Sequence, residues 1–243
     1  MVIRDRIAQA YAPSEGLKEA YASLQAAAIA YSGPDTFWEH PDLSLKSSLT
    51  KVKKEIKDAY FSQQGFMCCY CCLRLAEHKG SYDLEHVVSK KKFAAFMFVA
   101  RNLAAVCKTC NTAKSDSDVL SALGIIAALS ELPRASDGYL VVHPHFDEWG
   151  EHLQCDEYGR ILVKGGSSKR SVTYEMCKFK RQNILAIAGS FMSPDKQAAQ
   201  KFLNKFFGAK TDAVKQKYLN FLNDLVAGYE HGPARTLLRE LAT

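Results

Sequence analysis

Apolar residues recur at helical spacing at both ends of the chain, with a different pattern between them. Residues 14–32 are Ala-rich, with Leu17, Tyr21, Leu24 and Ala28 on one stripe, and Gly33-Pro34 stops the run. A second stripe, Leu45, Leu49, Val52, Ile56 and Tyr60, predicts an amphipathic helix. Its other faces carry Lys46, Lys51, Lys53, Lys54 and Lys57, either as a solvated face or as a surface that tracks phosphates. Between the two, Phe37-Trp38-Glu39-His40-Pro41 reads as a loop whose aromatics pack inward or present a contact.

Beyond residue 118, Val119 to Leu132 reads as a buried helix ended by Pro133. Gly138 to His143 and Gly159 to Val163 alternate like strands. Lys164 to Arg181 is locally basic and holds a flexible Gly165-Gly166-Ser167-Ser168 connection. Ser193-Pro194 opens a helix that Gly208 stops, Asp212 to Tyr229 makes another, and Pro233 to Leu241 a short last one. The expected class is α+β, mostly α-helical. Its regions are a helical 1–60, a central 61–118, and a mostly helical 119–243 with a small β hairpin.

The central region changes the picture. Cys68/Cys71 and Cys69/Cys72 are overlapping Cys-x-x-Cys pairs, and Cys107/Cys110 is another downstream. One such turn presents two thiolates to a metal, and two turns complete a tetrahedral zinc site. Either upstream pair has the right spacing. A disulfide framework is disfavoured in a chain with no sign of secretion. Cys155 and Cys177 lack knuckle partners and read as buried thiols.

Inside the bracket lie Glu85-His86, Asn102 and Asn111-Thr112-Ala113-Lys114. Glu85 and the Asn111 carbonyl can give oxygen ligands to a hard cation. His86, with an ordinary pKa near about 6.5, suits the removal of a proton from water. Lys114 follows Asn111 on the same helical face. Lys90, Lys91 and Lys92 closely follow the histidine and could clamp a phosphate backbone. His143-Pro144-His145 with nearby acids could also bind metal, but one His-x-His pair makes no closed site, and a structural lobe is the simpler reading.

These residues resemble the HNH endonucleases over about residues 61–118, in the order Cys-x-x-Cys, acidic-His, Asn-Leu, Cys-x-x-Cys-Asn-x-x-Lys. The resemblance implies a ββα-metal finger with a structural four-cysteine zinc. His86 matches the general base, Glu85 and Asn111 the ligands of a catalytic magnesium or manganese, and Asn102 the asparagine that holds the loop. Tyr70 before Cys71 favours Cys68 and Cys71, with Cys107 and Cys110, as the zinc ligands, rather than Cys69 and Cys72. Ser89 and Ser115 depart from the family, standing where proline and glycine are common. The layout also resembles nuclease subunits of Septu-type and retron-associated anti-phage systems. That implies nucleic acid as substrate, DNA ahead of RNA, and an ABC-type ATPase as partner. The non-catalytic alternative is a zinc ribbon that only binds nucleic acid or protein.

Charge and length are compatible with both. The chain has 243 residues, enough for one lobed domain or two. Thirty-two basic against 26 acidic side chains give +6, a mild excess that permits a polyanionic partner. The first residues lack the apolar core of a signal peptide, and Val119 to Leu132 is too short to span a bilayer. A cytoplasmic location, with no membrane contact, is expected.

Overall fold

The computed structural model describes residues 5–31, 37, 44–78, 80–121, 131–156, 159–166, 168–191 and 203–226. The chain divides into two compact units, Met1–Gln154 with Val163–Cys177, and Cys155–Leu162 with Lys178–Thr243.

The first unit is built on a two-stranded antiparallel hairpin. β1 (Tyr82–His86) pairs with β2 (Leu103–Cys107), from Tyr82 opposite Cys107 to His86 opposite Leu103. Helix α1 (Lys18–Ala30) buries Leu24 and Ala28, two of the predicted stripe. Helix α2 (Lys46–Gln63) buries Leu49, Val52, Ile56 and Tyr60 as the spacing requires. Each such side chain contributes about 1.5–3 kcal/mol by leaving water. That drive holds α2 on the hairpin, where Phe61 stacks on Tyr82 with centroids 4.4 Å apart. Helix α3 (Lys108–Lys114) follows β2 directly and packs on the same two strands.

The turn after α2 is tied down by Gln64. Its side chain donates to Met67 O at 2.7 Å and Ala105 O at 2.8 Å, and accepts from Ala105 N at 2.7 Å. Helix end, first knuckle and β2 are thereby joined through one buried amide.

Residues 131–152 pack on the same unit. Trp149 donates to Tyr70 O at 2.7 Å and His145 Nε2 to Leu103 O at 2.8 Å. Asp147 accepts from His143 N at 2.7 Å and from Lys169 at 3.0 Å. The His-x-His segment is thus a structural brace in this fold.

Several sequence expectations are corrected. Gly138 to His143 is not a strand: Ser136–Gly138 is a 3-10 turn and only Tyr139 bridges, to Leu120. The same bridge shows that no helix starts at Val119; residues 122–130 lie outside the described residues. Phe37 is buried against Tyr31 and Phe98, so it is core rather than a contact, while Trp38 lies outside the described residues. The basic stretch 164–181 holds α5 (Ser168–Met176) and the start of α6 (Phe179–Phe191), which the sequence reading lacked.

A short helix α4 (Trp149–His152) leads into a small hairpin, β3 (Leu153–Cys155) with β4 (Ile161–Val163); β4 falls on the second expected strand, whereas β3 stands where no strand was expected. In the second unit the Asn183 amide accepts from Ile161 N at 2.7 Å and donates to Ile161 O at 2.8 Å. Residues 203–208 are helical, and a further helix covers Asp212–Val226. The predicted 233–241 helix and the start of the 193–208 helix lie outside the described residues. Among the described residues, no helix is long and apolar enough to cross a membrane.

Candidate functional site

The four cysteines converge. The Sγ atoms of Cys68, Cys71, Cys107 and Cys110 all lie within 4.8 Å of one another. Tetrahedral zinc with bonds of about 2.3 Å needs sulfur pairs about 3.8 Å apart. Cys71 and Cys107 stand at 3.8 Å, far too long for a disulfide and right for a shared metal. Backbone amides support the sulfurs, with Cys107 N donating to Cys68 Sγ at 3.3 Å and Cys110 N to Cys107 Sγ at 3.4 Å. Cys69 and Cys72 stand outside the group; Cys69 N instead bonds Ala105 O at 3.0 Å. Among the described residues this is the one such group of three or more His, Cys, Asp or Glu. Cys177, buried, interacts with Cys110 at its edge.

Asn102 ties down the loop that follows β1. Its Oδ1 accepts from Val88 N at 2.7 Å, and its Nδ2 donates to Val88 O at 3.1 Å and Phe96 O at 3.0 Å. Its own carbonyl takes Val87 N at 2.9 Å. One buried side chain therefore clamps the loop that leaves His86. Ser89 ties the same loop to Asp116 through its hydroxyl at 3.0 Å.

His86 ends β1 and is buried. Its Nε2 lies 3.1 Å from Met97 O. A carbonyl only accepts, so Nε2 carries the proton and the neutral ring keeps its lone pair on Nδ1. Burial, then the charges of Lys90 and Lys114, holds this imidazole well below its ordinary pKa. A neutral base at physiological pH follows.

Glu85 points to other partners. Its carboxylate accepts from the Tyr70 hydroxyl at 2.9 Å and pairs with Lys114 Nζ at 2.9 Å, both fully enclosed. Lys114 also donates to His86 O at 2.9 Å. Burial raises the Glu85 carboxyl above its ordinary range, and Lys114 and Tyr70 oppose that rise. Asn111 meets a different acid: its Nδ2 donates to Asp83 Oδ2 at 2.9 Å. Asp83 also takes Lys108, and these two bonds outweigh burial and hold it below its ordinary pKa.

Side chains alternate across a strand, and the hairpin follows that rule. Asp83 and Glu85 meet α3, through Lys108, Asn111 and Lys114. Tyr82 meets α2, and His86 reaches the loop at Met97. The donor set proposed for a catalytic divalent ion does not fit a bare cation in this arrangement: each nearby carboxylate is already balanced by a lysine.

Of the predicted phosphate contacts, Lys114 is interior. Lys91 pairs with Asp116 at 3.7 Å and Lys92 with Asp118 at 2.6 Å. Lys90 lies close enough to His86 and Lys53 to lower both. A cavity of about 1040 Å³ opens elsewhere in the unit, beside Arg6, Ile29, Phe96 and Arg101; none of the cysteine or His86 constellation lines it. Gln64 and Trp149 support the site without any local sequence signal, because their partners lie 41 and 79 residues away.

Compared with protein-family models, with curated proteins and with solved structures, the chain matches none.

Proposed function

We propose that this chain is an HNH-type endonuclease that hydrolyses nucleic-acid phosphodiester bonds, with the four cysteines holding a structural zinc. The observation that carries the reading is the Asn102 clamp beside a buried, neutral His86 whose Nε2 is fixed on Met97 O. A pure binding ribbon needs neither. In the proposed reaction, Nδ1 of His86 takes the proton of a water as that water attacks phosphorus. Asn102 keeps the ring at one angle by fixing the loop behind it. The cysteine centre does no chemistry; it holds α3 against β1. The HNH resemblance implies a magnesium or manganese ion, but Glu85 is paired with Lys114 and Asn111 with Asp83, so no step is assigned to one.

One observation favours the non-catalytic zinc ribbon instead. The enclosed Glu85–Lys114 pair leaves that carboxylate committed to the fold rather than to a metal.

Cleavage of plasmid, single-stranded DNA and tRNA across several divalent metals separates the two. His86→Ala is expected to keep zinc while lowering cleavage by about two to four orders of magnitude. Undiminished cleavage by that variant, with contaminants controlled, would remove the HNH reading.

A further inference from the structure

The cavity of about 1040 Å³ beside Arg101 takes its walls from separate parts of the first unit, and each wall is tied down. Ile7 N donates to Pro144 O at 2.8 Å, which joins the N-terminal wall to the segment that carries Phe146. The Tyr60 hydroxyl donates to Ala100 O at 2.6 Å and Asn102 Nδ2 to Phe96 O at 3.0 Å, which fixes a second wall. The Tyr139 hydroxyl holds Pro133 O at 2.9 Å. The space is therefore built into the packing, and its size is at the upper end of that of small-molecule pockets.

The lining has two characters. Ile7, Phe96, Val99 and Leu132 make it apolar, while Arg6, Arg101 and Arg134 bring positive charge. Glu131 is the acid of the described lining, and it is bonded to Arg134 at 2.7 Å. Arg6 is paired with Glu148 at 3.1 Å. Arg101 differs from both. Its guanidinium lies 5.5 Å from the centroid of the Phe146 ring, and among the described residues no carboxylate pairs with it. An aromatic face orients a guanidinium and leaves its forked donors open to a carboxylate or a phosphate. Arg101 is also exposed, so an incoming anion can reach it. An uncharged ligand would leave that fork unused, and a cation would meet three arginines against one acid.

We propose that this cavity binds a small amphipathic anion, an aliphatic carboxylate or phosphate, with its head on Arg101 and its chain along Phe96, Val99 and Leu132. The inference is independent of the nuclease reading, because none of the cysteine or His86 constellation lines the cavity.

The test titrates decanoate, decyl phosphate and decanol into the full zinc-loaded chain by calorimetry. At least one of the two anions should bind one per chain with a Kd below about 1 mM. Decanol should bind about tenfold more weakly or worse, since it makes no charge-assisted bond. The tighter anion identifies the head group. Arg101→Ala should weaken that anion about tenfold. Gln25→Glu puts a carboxylate into the lining with almost no change of shape and should weaken it too, whereas Gln25→Lys should tighten it. Lys91→Gln with Lys92→Gln, outside the cavity, should leave the affinity unchanged. Zinc content and melting temperature check that each variant is folded. Absence of saturable binding by both anions below about 1 mM overturns the proposal. So does decanol binding as tightly as the anions, or parental affinity in the folded Arg101→Ala and Gln25→Glu variants.

Discussion

Lys114 stands three residues after Asn111, and spacing alone makes it a phosphate contact. The structure turns it inward, with Nζ shared by Glu85 and the carbonyl of His86. A buried charge whose partner is removed costs about 3–5 kcal/mol. Lys114→Met is therefore expected to lower the unfolding free energy, read from urea titration, by that amount, and Glu85→Gln added to it should recover most of the loss. A Lys114→Met chain as stable as the parent would place Lys114 back at the surface. Asn102 drew notice only through the HNH resemblance, since its bonds reach Val88 and Phe96, 14 and 6 residues back along the chain. Gln64, His145 and Trp149 were not legible, since nothing near them in the chain announces bonds to Ala105, Leu103 and Tyr70. Local chemistry can be read from spacing, whereas a buried amide or indole gains its partner only when distant segments meet.

The two knuckles and the hairpin between them are the element whose register the sequence left open. Cys68-Cys69-Tyr70-Cys71-Cys72 offers two pairs at one spacing, and the structure takes Cys68 and Cys71. Metal binding by such sites is coupled to folding. Cys68→Ser, Cys71→Ser, Cys107→Ser and Cys110→Ser should each lose the zinc, and solubility with it. Cys69→Ser and Cys72→Ser should keep about one zinc per chain by metal analysis. Loss of zinc with Cys69→Ser and its retention with Cys68→Ser would reverse the register. The stripes of α1 and α2 were readable because burial on one helix face imposes the 3.6 period. Gly138 to His143 misled for a related reason. Alternation there reports burial, yet Val142 N bonds the Thr173 hydroxyl and Leu140 N bonds Val119 O, so among the described residues the segment has no partner strand beyond the bridge at Leu120. Helix α5 hid behind the opposite fault: Ser-Lys-Arg-Ser-Val-Thr-Tyr-Glu-Met has too few apolar residues for a stripe, and of it the structure buries Thr173.

At the scale of the whole molecule, the anti-phage resemblance makes the most exposed prediction. A free and always active nuclease would threaten the cell that makes it, so the isolated chain is expected to cut weakly. Restraint or activation would then come from an ABC-type ATPase bound outside the finger. The N-terminal region is the first candidate surface, and the structure narrows it. Phe37 faces the core, whereas Ile29 on α1 is 60% exposed and offers an apolar side chain for a contact. Co-expression with the neighbouring open reading frames, followed by affinity purification of this chain, should recover the ATPase in stoichiometric amount. Ile29→Glu should reduce that recovery at least severalfold while leaving zinc content unchanged, because the side chain contributes nothing to the cysteine centre. Recovery of the chain alone, with vigorous unregulated cleavage, would count against the complex and leave a solitary nuclease. Recovery of the ATPase at full level with Ile29→Glu would keep the partner and move its contact off α1.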